Sequence, residues 1–274
     1  QDSPVRTFAH DSQVLFDLSD PDQDGQCSTD FFLATGGSPV PQLCGTNTNQ
    51  HIIYSVAPNS GPSQISIVMD TTTTTTSSRT WQMRIYQHEC RSPVLAPNGC
   101  LQYYQGASGQ LQSFNYKIDV NNNLPNHLAN LNYAICIRME SGFCGIRYAQ
   151  VDNFSFTLSL DASLITAATI LTATNVKYGD DNCDQDYIVV PGASMTGADA
   201  DKLFAKDRFC GTALGFCDSA TSTTTCTPML GAITTFSKPF ILRVVTDASE
   251  VANTEKANRG FNLVFSQQPC LTSG

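Results

Sequence analysis

The chain has 274 residues, 24 of them acidic against 15 Lys and Arg, a formal net charge of −9 with only 14% of residues charged. That balance repels nucleic-acid backbones and anionic lipid, so neither is expected as a partner. Eleven cysteines without C-x-x-C spacings point to an oxidising compartment and against a zinc ribbon, and no apolar run is long enough to span a membrane.

In chain order, short segments rich in Val, Ile, Phe and Tyr predict strands. They are QISIVMD (64–70), WQMRIYQ (81–87), NYAICIRM (132–139), FSFTLSL (154–160), DYIVVP (186–191), FILRVVT (240–246) and GFNLVFS (260–266). Gly, Pro, Asn and Thr clusters between them make turns. The run from Ser163 to Ala173 is β-branched and Thr-rich, and reads as extended or irregular. Thr71–Ser78 reads as a solvated hairpin tip, and Asn153-Phe154-Ser155 is an N-glycosylation sequon. The fold class expected is all-β, two antiparallel β-sandwich domains stapled by disulfides. Trp81, the one tryptophan, is expected in the core between sheets. Alternation puts one of Tyr103 and Tyr104 inside.

Four blocks occur twice in the same order. Cys27-Ser28-Thr29-Asp30-Phe31 returns as Cys183-Asp184-Gln185-Asp186-Tyr187, and Leu43-Cys44-Gly45-Thr46 as Phe209-Cys210-Gly211-Thr212. The apolar run ending at Asp70 returns as the run ending at Asp247, and residues 79–90 match residues 259–270 at equal length. Two related β modules follow. The repeat makes Cys27–Cys44 and Cys183–Cys210 equivalent bridges, each worth roughly 3–4 kcal/mol in the chain-entropy model. Close spacing pairs Cys90 with Cys100, Cys136 with Cys144, and Cys217 with Cys226. Cys270 is then the odd cysteine, held in an interchain bridge, as a buried thiol or in a different intrachain pairing.

These residues resemble the CUB domain, an extracellular β-sandwich module with the pattern C-x-x-D-[YF]…C-G…D…G-F. CDQDYIVVPG, RFCG and the stretch from Thr246 to Phe265 carry it. The joining segment APNGCLQYYQGASGQLQSFNY, with HLANLNYAICIRMESGFCGIRYA, is similar to arthropod secreted tandem CUB-type proteins. The resemblance implies a shortened or diverged jelly-roll module over 1–92, a linker over 93–104 and a complete module over 105–274. It also implies Ca²⁺ as a ligand, at Asp186 and Asp247 with Asp180 or Asp181 standing in for the usual Glu. In the first module Asp30 and Asp70 match, with Asp22 or Asp24 nearby. Hard Ca²⁺ takes six to eight oxygens, which loop carboxylates supply. The family's pairing of its first two cysteines would instead join Cys100 to Cys136 and release Cys90 and Cys144.

Catalysis is not expected: His10, His51, His88 and His127 are scattered without H-E-x-x-H spacing, and there is no G-x-S-x-G elbow. The function expected is a secreted, non-catalytic interaction protein that binds protein or glycan partners, with Ca²⁺ dependence implied by the resemblance. The alternative is a structural subunit of an extracellular matrix or filament, self-associating through Cys270.

Overall fold

The computed structural model describes residues 5–8, 15–56, 62–72, 79–89, 92–117, 127–159, 176–194, 206–215, 231–248, 250 and 258–270, and its regular elements are all strands. The first unit holds β1 (Val5–Phe8), β2 (Phe16–Asp17), β3 (Phe31–Thr35), β4 (Ile52–Ser55), β5 (Gln64–Val68), β6 (Thr80–Trp81) and β7 (Tyr86–His88). They form a sheet ordered β4-β1-β7 and two ribbons, β2-β6 and β3-β5. The second unit begins with β8 (Cys100–Tyr104), β9 (Ser108–Gln112), β10 (Asn132–Ile137), β11 (Phe143–Gln150) and β12 (Phe156–Thr157). It continues with β13 (Val176–Tyr178), β14 (Tyr187–Ala193), β15 (Lys206–Gly211), β16 (Ala232–Thr235), β17 (Phe240–Val245) and β18 (Gly260–Pro269).

In the second unit a 6-stranded sheet, β13-β15-β14-β17-β10-β8, faces a sheet ordered β12-β18-β11-β16, with β9 also on β18. Side chains alternate along these strands, so Ile188, Val190, Leu242 and Val244 point inward from one sheet while Phe261, Leu263 and Phe265 meet them from the other. Burial of these apolar faces, at about 25 cal/mol per Å², holds the sandwich together.

The duplication is visible in the pairing. Phe31↔Val68 and Phe32↔Ile67 in the first unit correspond to Tyr187↔Val245 and Ile188↔Val244 in the second. Phe32↔Leu43 corresponds to Ile188↔Phe209, and Phe16↔Trp81 to Phe156↔Phe261. The first unit has no counterpart of β8, β9 and β10 among the described residues. Consequently β17 is paired by both β14 and β10, whereas β5 is paired by β3 alone.

Three expectations change. The segment WQMRIYQ does not run as one strand: only Thr80–Trp81 and Tyr86–His88 pair, and Trp81 is 40% exposed where its counterpart Phe261 is 0% exposed. Trp81 pairs with Phe16 in the two-stranded β2-β6 ribbon, whereas Phe261 lies in the sheet of β12, β18, β11 and β16. The expected linker over 93–104 ends in strand, because Cys100–Tyr104 pairs in parallel with β10. The third change concerns the cysteines. Cys27–Cys44 and Cys183–Cys210 are bonded, with Cα atoms 5.6 and 5.7 Å apart. Cys100 is bonded to Cys136, not to Cys90, and Cys144 to Cys270, not to Cys136. Cys270 is therefore not the odd cysteine. Neighbouring strands, not chain proximity, choose the partners: β8 lies beside β10, and Phe143 pairs with Pro269 just before the Cys144–Cys270 bridge. Cys90, Cys217 and Cys226, like 163–173, lie outside the described residues.

Buried polar contacts join the two units. Asn115 Oδ1 accepts from the Thr46 amide at 2.9 Å while Asn47 Oδ1 accepts from the Asn115 amide at 2.8 Å. Gln50 Nε2 donates to the Ser113 carbonyl at 2.9 Å, and the Ala129 amide to the Gly25 carbonyl at 2.8 Å. One apolar cluster runs from Phe16 and Phe32 through Phe114 to Phe265.

Candidate functional site

Each unit is organised around one buried aspartate at the head of its D-F or D-Y strand. In the first, Asp30 is 0% exposed. Its Oδ1 accepts from the Asp70 amide at 3.0 Å; its Oδ2 accepts from the Ser19 hydroxyl, the Ser19 amide at 3.3 Å and Arg79 Nε at 2.6 Å. Arg79 also donates to the Asp70 carbonyl at 2.8 Å. Burial pushes the Asp30 carboxyl up, but the bonds from Arg79, Ser19 and the Asp70 amide outweigh it and hold it below its ordinary value.

In the second unit Asp186, also 0% exposed, repeats the pattern. Its Oδ1 accepts from the Asp247 amide at 2.9 Å and its Oδ2 from the Ser159 hydroxyl at 3.1 Å, while its own amide donates to Ser159 Oγ at 2.7 Å. Ser159 takes φ 56° to reach it, a left-handed conformation that a serine adopts at some strain. The arginine does not repeat. Arg259, the counterpart of Arg79, places its guanidinium 6.0 Å over the Phe154 ring. Burial pushes that guanidinium below its ordinary range, against the charges of Tyr116 and Asp152.

Asp186 instead meets His127 and Glu250. Ligand atoms of these three side chains all lie within 4.8 Å of one another, and all three residues are buried. His127 Nδ1 is 3.2 Å from Glu250 Oε1. His127 Nε2 has no hydrogen-bond partner among the described residues. His127 is carried on the turn before β10 and Glu250 on the loop after β17. The first unit closes over them: the Glu250 amide donates to the Asp24 carbonyl at 3.4 Å, and Gly25, at φ +72°, sits where an added Cβ would come within 2.8 Å of Glu250 Cγ.

Of the residues expected to hold Ca²⁺, Asp186 meets Asp247 and Asp30 meets Asp70, each through a backbone amide. Asp180 is 78% exposed and pairs with Arg208 at 3.1 Å, and Asp181 is exposed. Asp247 gives Asp186 its backbone amide. In the first unit Asp24 is exposed, and Asp70 caps its own turn by accepting from the Thr72 amide at 2.7 Å. Among the described residues His127, Asp186 and Glu250 are the only such group of three, and an imidazole nitrogen does not suit a cation that takes oxygens alone.

Sequence reasoning missed Ser19, Ser159, His127 and Glu250. The serines had a signal, because Phe16-Asp17-Leu18-Ser19 and Phe156-Thr157-Leu158-Ser159 share F-x-L-S. His127 and Glu250 had none, being contributed by loops that only the fold brings together. Asn153 is exposed, while the Ser155 hydroxyl of its sequon is buried and accepts from the Asp152 amide at 3.0 Å.

The family description "Animal CUB domain" matches residues 97–268. Among solved structures, the CUB1-EGF-CUB2 domain of human MASP-1/3 matches with 13% identity over 97% of this chain and 89% of that one, at a TM-score of 0.29. No curated protein matches the chain.

Proposed function

The chain belongs to the animal CUB-domain family, and from that membership we propose that it is a non-catalytic extracellular protein whose shortened first sandwich captures an extended segment of a protein partner. CUB domains and disulfide frameworks are typical of extracellular proteins, and no described helix is long and apolar enough to cross a membrane.

The observation that carries the reading is the one-sided pairing of β5. Where β17 of the complete module is covered by β10, β5 pairs with β3 alone among the described strands. An edge of this kind offers a row of amides and carbonyls for strand addition, with alternate side chains reading the incoming sequence. Its surroundings are apolar: Val68 and Met69 are 40% and 42% exposed, and Ile65 and Ile67 are half-buried. Trp81 adds an exposed aromatic to the same unit. The edge carries no lysine or proline of the kind that blunts unused edges.

The test is capture of proteins from extracellular fluid on immobilised wild type and on Val68→Lys/Met69→Lys. The reading expects at least a tenfold loss of the captured partner in the variant, with the thermal midpoint unchanged. Equal capture by both would refute it. Self-assembly through Cys270 loses its support, because that cysteine is bonded to Cys144.

A further inference from the structure

We propose that His127, Asp186 and Glu250 form a divalent metal site of the zinc class, in which a metal ion holds the position that the Arg79 guanidinium holds in the first unit.

Two observations carry this independently. The first is the donor set. One imidazole nitrogen and two carboxylates, all buried, lie with ligand atoms within 4.8 Å of one another. A tetrahedral Zn²⁺ with bonds of about 2.0–2.1 Å brings its ligands to roughly 3.3 Å, so a contraction of at most about 1.5 Å closes the site around the ion. Imidazole with carboxylate suits zinc and its neighbours, whereas Ca²⁺ takes oxygen alone. The histidine is more than nine-tenths buried, with Nδ1 facing Glu250 and Nε2 without a hydrogen-bond partner among the described residues.

The second is the internal comparison. Asp30 and Asp186 are capped alike, by a serine hydroxyl and by the amide of Asp70 or Asp247. Asp30 receives a guanidinium at 2.6 Å. Asp186 receives none from the equivalent Arg259, which lies over Phe154, and faces a second carboxylate instead. Two neighbouring carboxylates are both favoured in the charged form when a cation lies between them. A divalent ion bound by all three would place positive charge beside Asp186, as Arg79 does beside Asp30. The turn at Gly25 packs against Glu250 and Ala129, and with three protein ligands a tetrahedral ion would take a water as its fourth. Bound by all three side chains, the ion would tie the turn before β10 and the loop after β17 to the head of β14.

The experiment titrates metal-stripped full-length protein with ZnCl2 and separately with CaCl2 by calorimetry, and follows the visible absorption of Co²⁺ as a probe of nitrogen ligation. One Zn²⁺ per chain is expected, bound at least 100-fold more tightly than Ca²⁺, with a thermal midpoint that rises in Zn²⁺ and not in Ca²⁺. Glu250→Gln should weaken Zn²⁺ at least tenfold and His127→Gln should abolish the Co²⁺ signal, while His88→Gln changes neither. Absence of saturable Zn²⁺ binding by the wild type overturns the proposal, as does tighter binding of Ca²⁺. Zn²⁺ binding lost in His88→Gln and kept in the other two variants also overturns it. None of these readouts involves the β5 edge, so this site and the docking reading fail separately.

Discussion

Replacing Arg79 by methionine tests the aspartate-centred reading of the first unit most sharply. The substitution keeps the stem that lies along the fold but removes the donor 2.6 Å from a fully buried carboxylate. Breaking a buried pair by deleting one partner costs about 3–5 kcal/mol. The Arg79 side chain is 23% exposed, so water reaches part of the pair and about 2–3 kcal/mol is the better figure. Ser19 and the Asp70 amide continue to bond Asp30, which keeps the loss below the upper bound. For a chain of this size that loss lowers the thermal midpoint by about 5–10 °C. The pH dependence has a definite sign. Asp30 is held below its ordinary value, so its stabilisation is complete above the unfolded carboxylate value of about 4 and is lost as pH falls through the lower folded value. The gap between wild type and Arg79→Met should therefore be full at pH 7 and shrink in strong acid. Thermal melts followed by circular dichroism at pH 7, 4 and 2.5 measure it, with Asp30→Asn completing a double-mutant cycle whose coupling should be about 2 kcal/mol. A gap under about 0.5 kcal/mol at pH 7, or one that widens in acid, would refute the reasoning.

Non-reducing peptide maps should yield Cys144 joined to Cys270 and Cys100 joined to Cys136, and no alkylatable thiol at Cys270. Removing the Cys144–Cys270 bridge with paired serines should cost up to about 5 kcal/mol by the chain-entropy estimate for a loop of 126 residues. Trp81 is the only tryptophan and 40% exposed, so fluorescence of the native protein should be red-shifted and readily quenched by iodide; a blue-shifted, unquenched emission would return it to the core. In the core, Phe261→Ala should cost about 3–5 kcal/mol, whereas Trp81→Ala should cost under about 2.

Much of the fold was legible because the chain states its second half twice. The C-x-x-D-[FY], C-G and R-x-[FW] blocks placed the paired strands and the two small disulfides, and alternation placed the core faces of β14 and β17. The cysteines without repeat partners were not legible from spacing, since Cys100 and Cys144 find partners 36 and 126 residues away on neighbouring strands. At the cation site the sequence marked Asp186 but not its companions. Arg79 and Arg259 are indistinguishable in the aligned blocks, yet one bonds its aspartate and the other stacks on Phe154. That difference depends on which side chains fill the space beside them. Likewise Trp81 is exposed where Phe261 is buried although their blocks align, so the exposure is a property of neighbours rather than of the block.

The most direct measurement of the central claim is amide hydrogen exchange across 64–68 in the free protein and with the captured partner. The half-paired edge predicts exchange in β5 faster than in β17 when free, and protection concentrated in β5 on binding. Slow exchange in free β5 matching β17, or protection confined to the second unit around Met139 and Phe236, would contradict it.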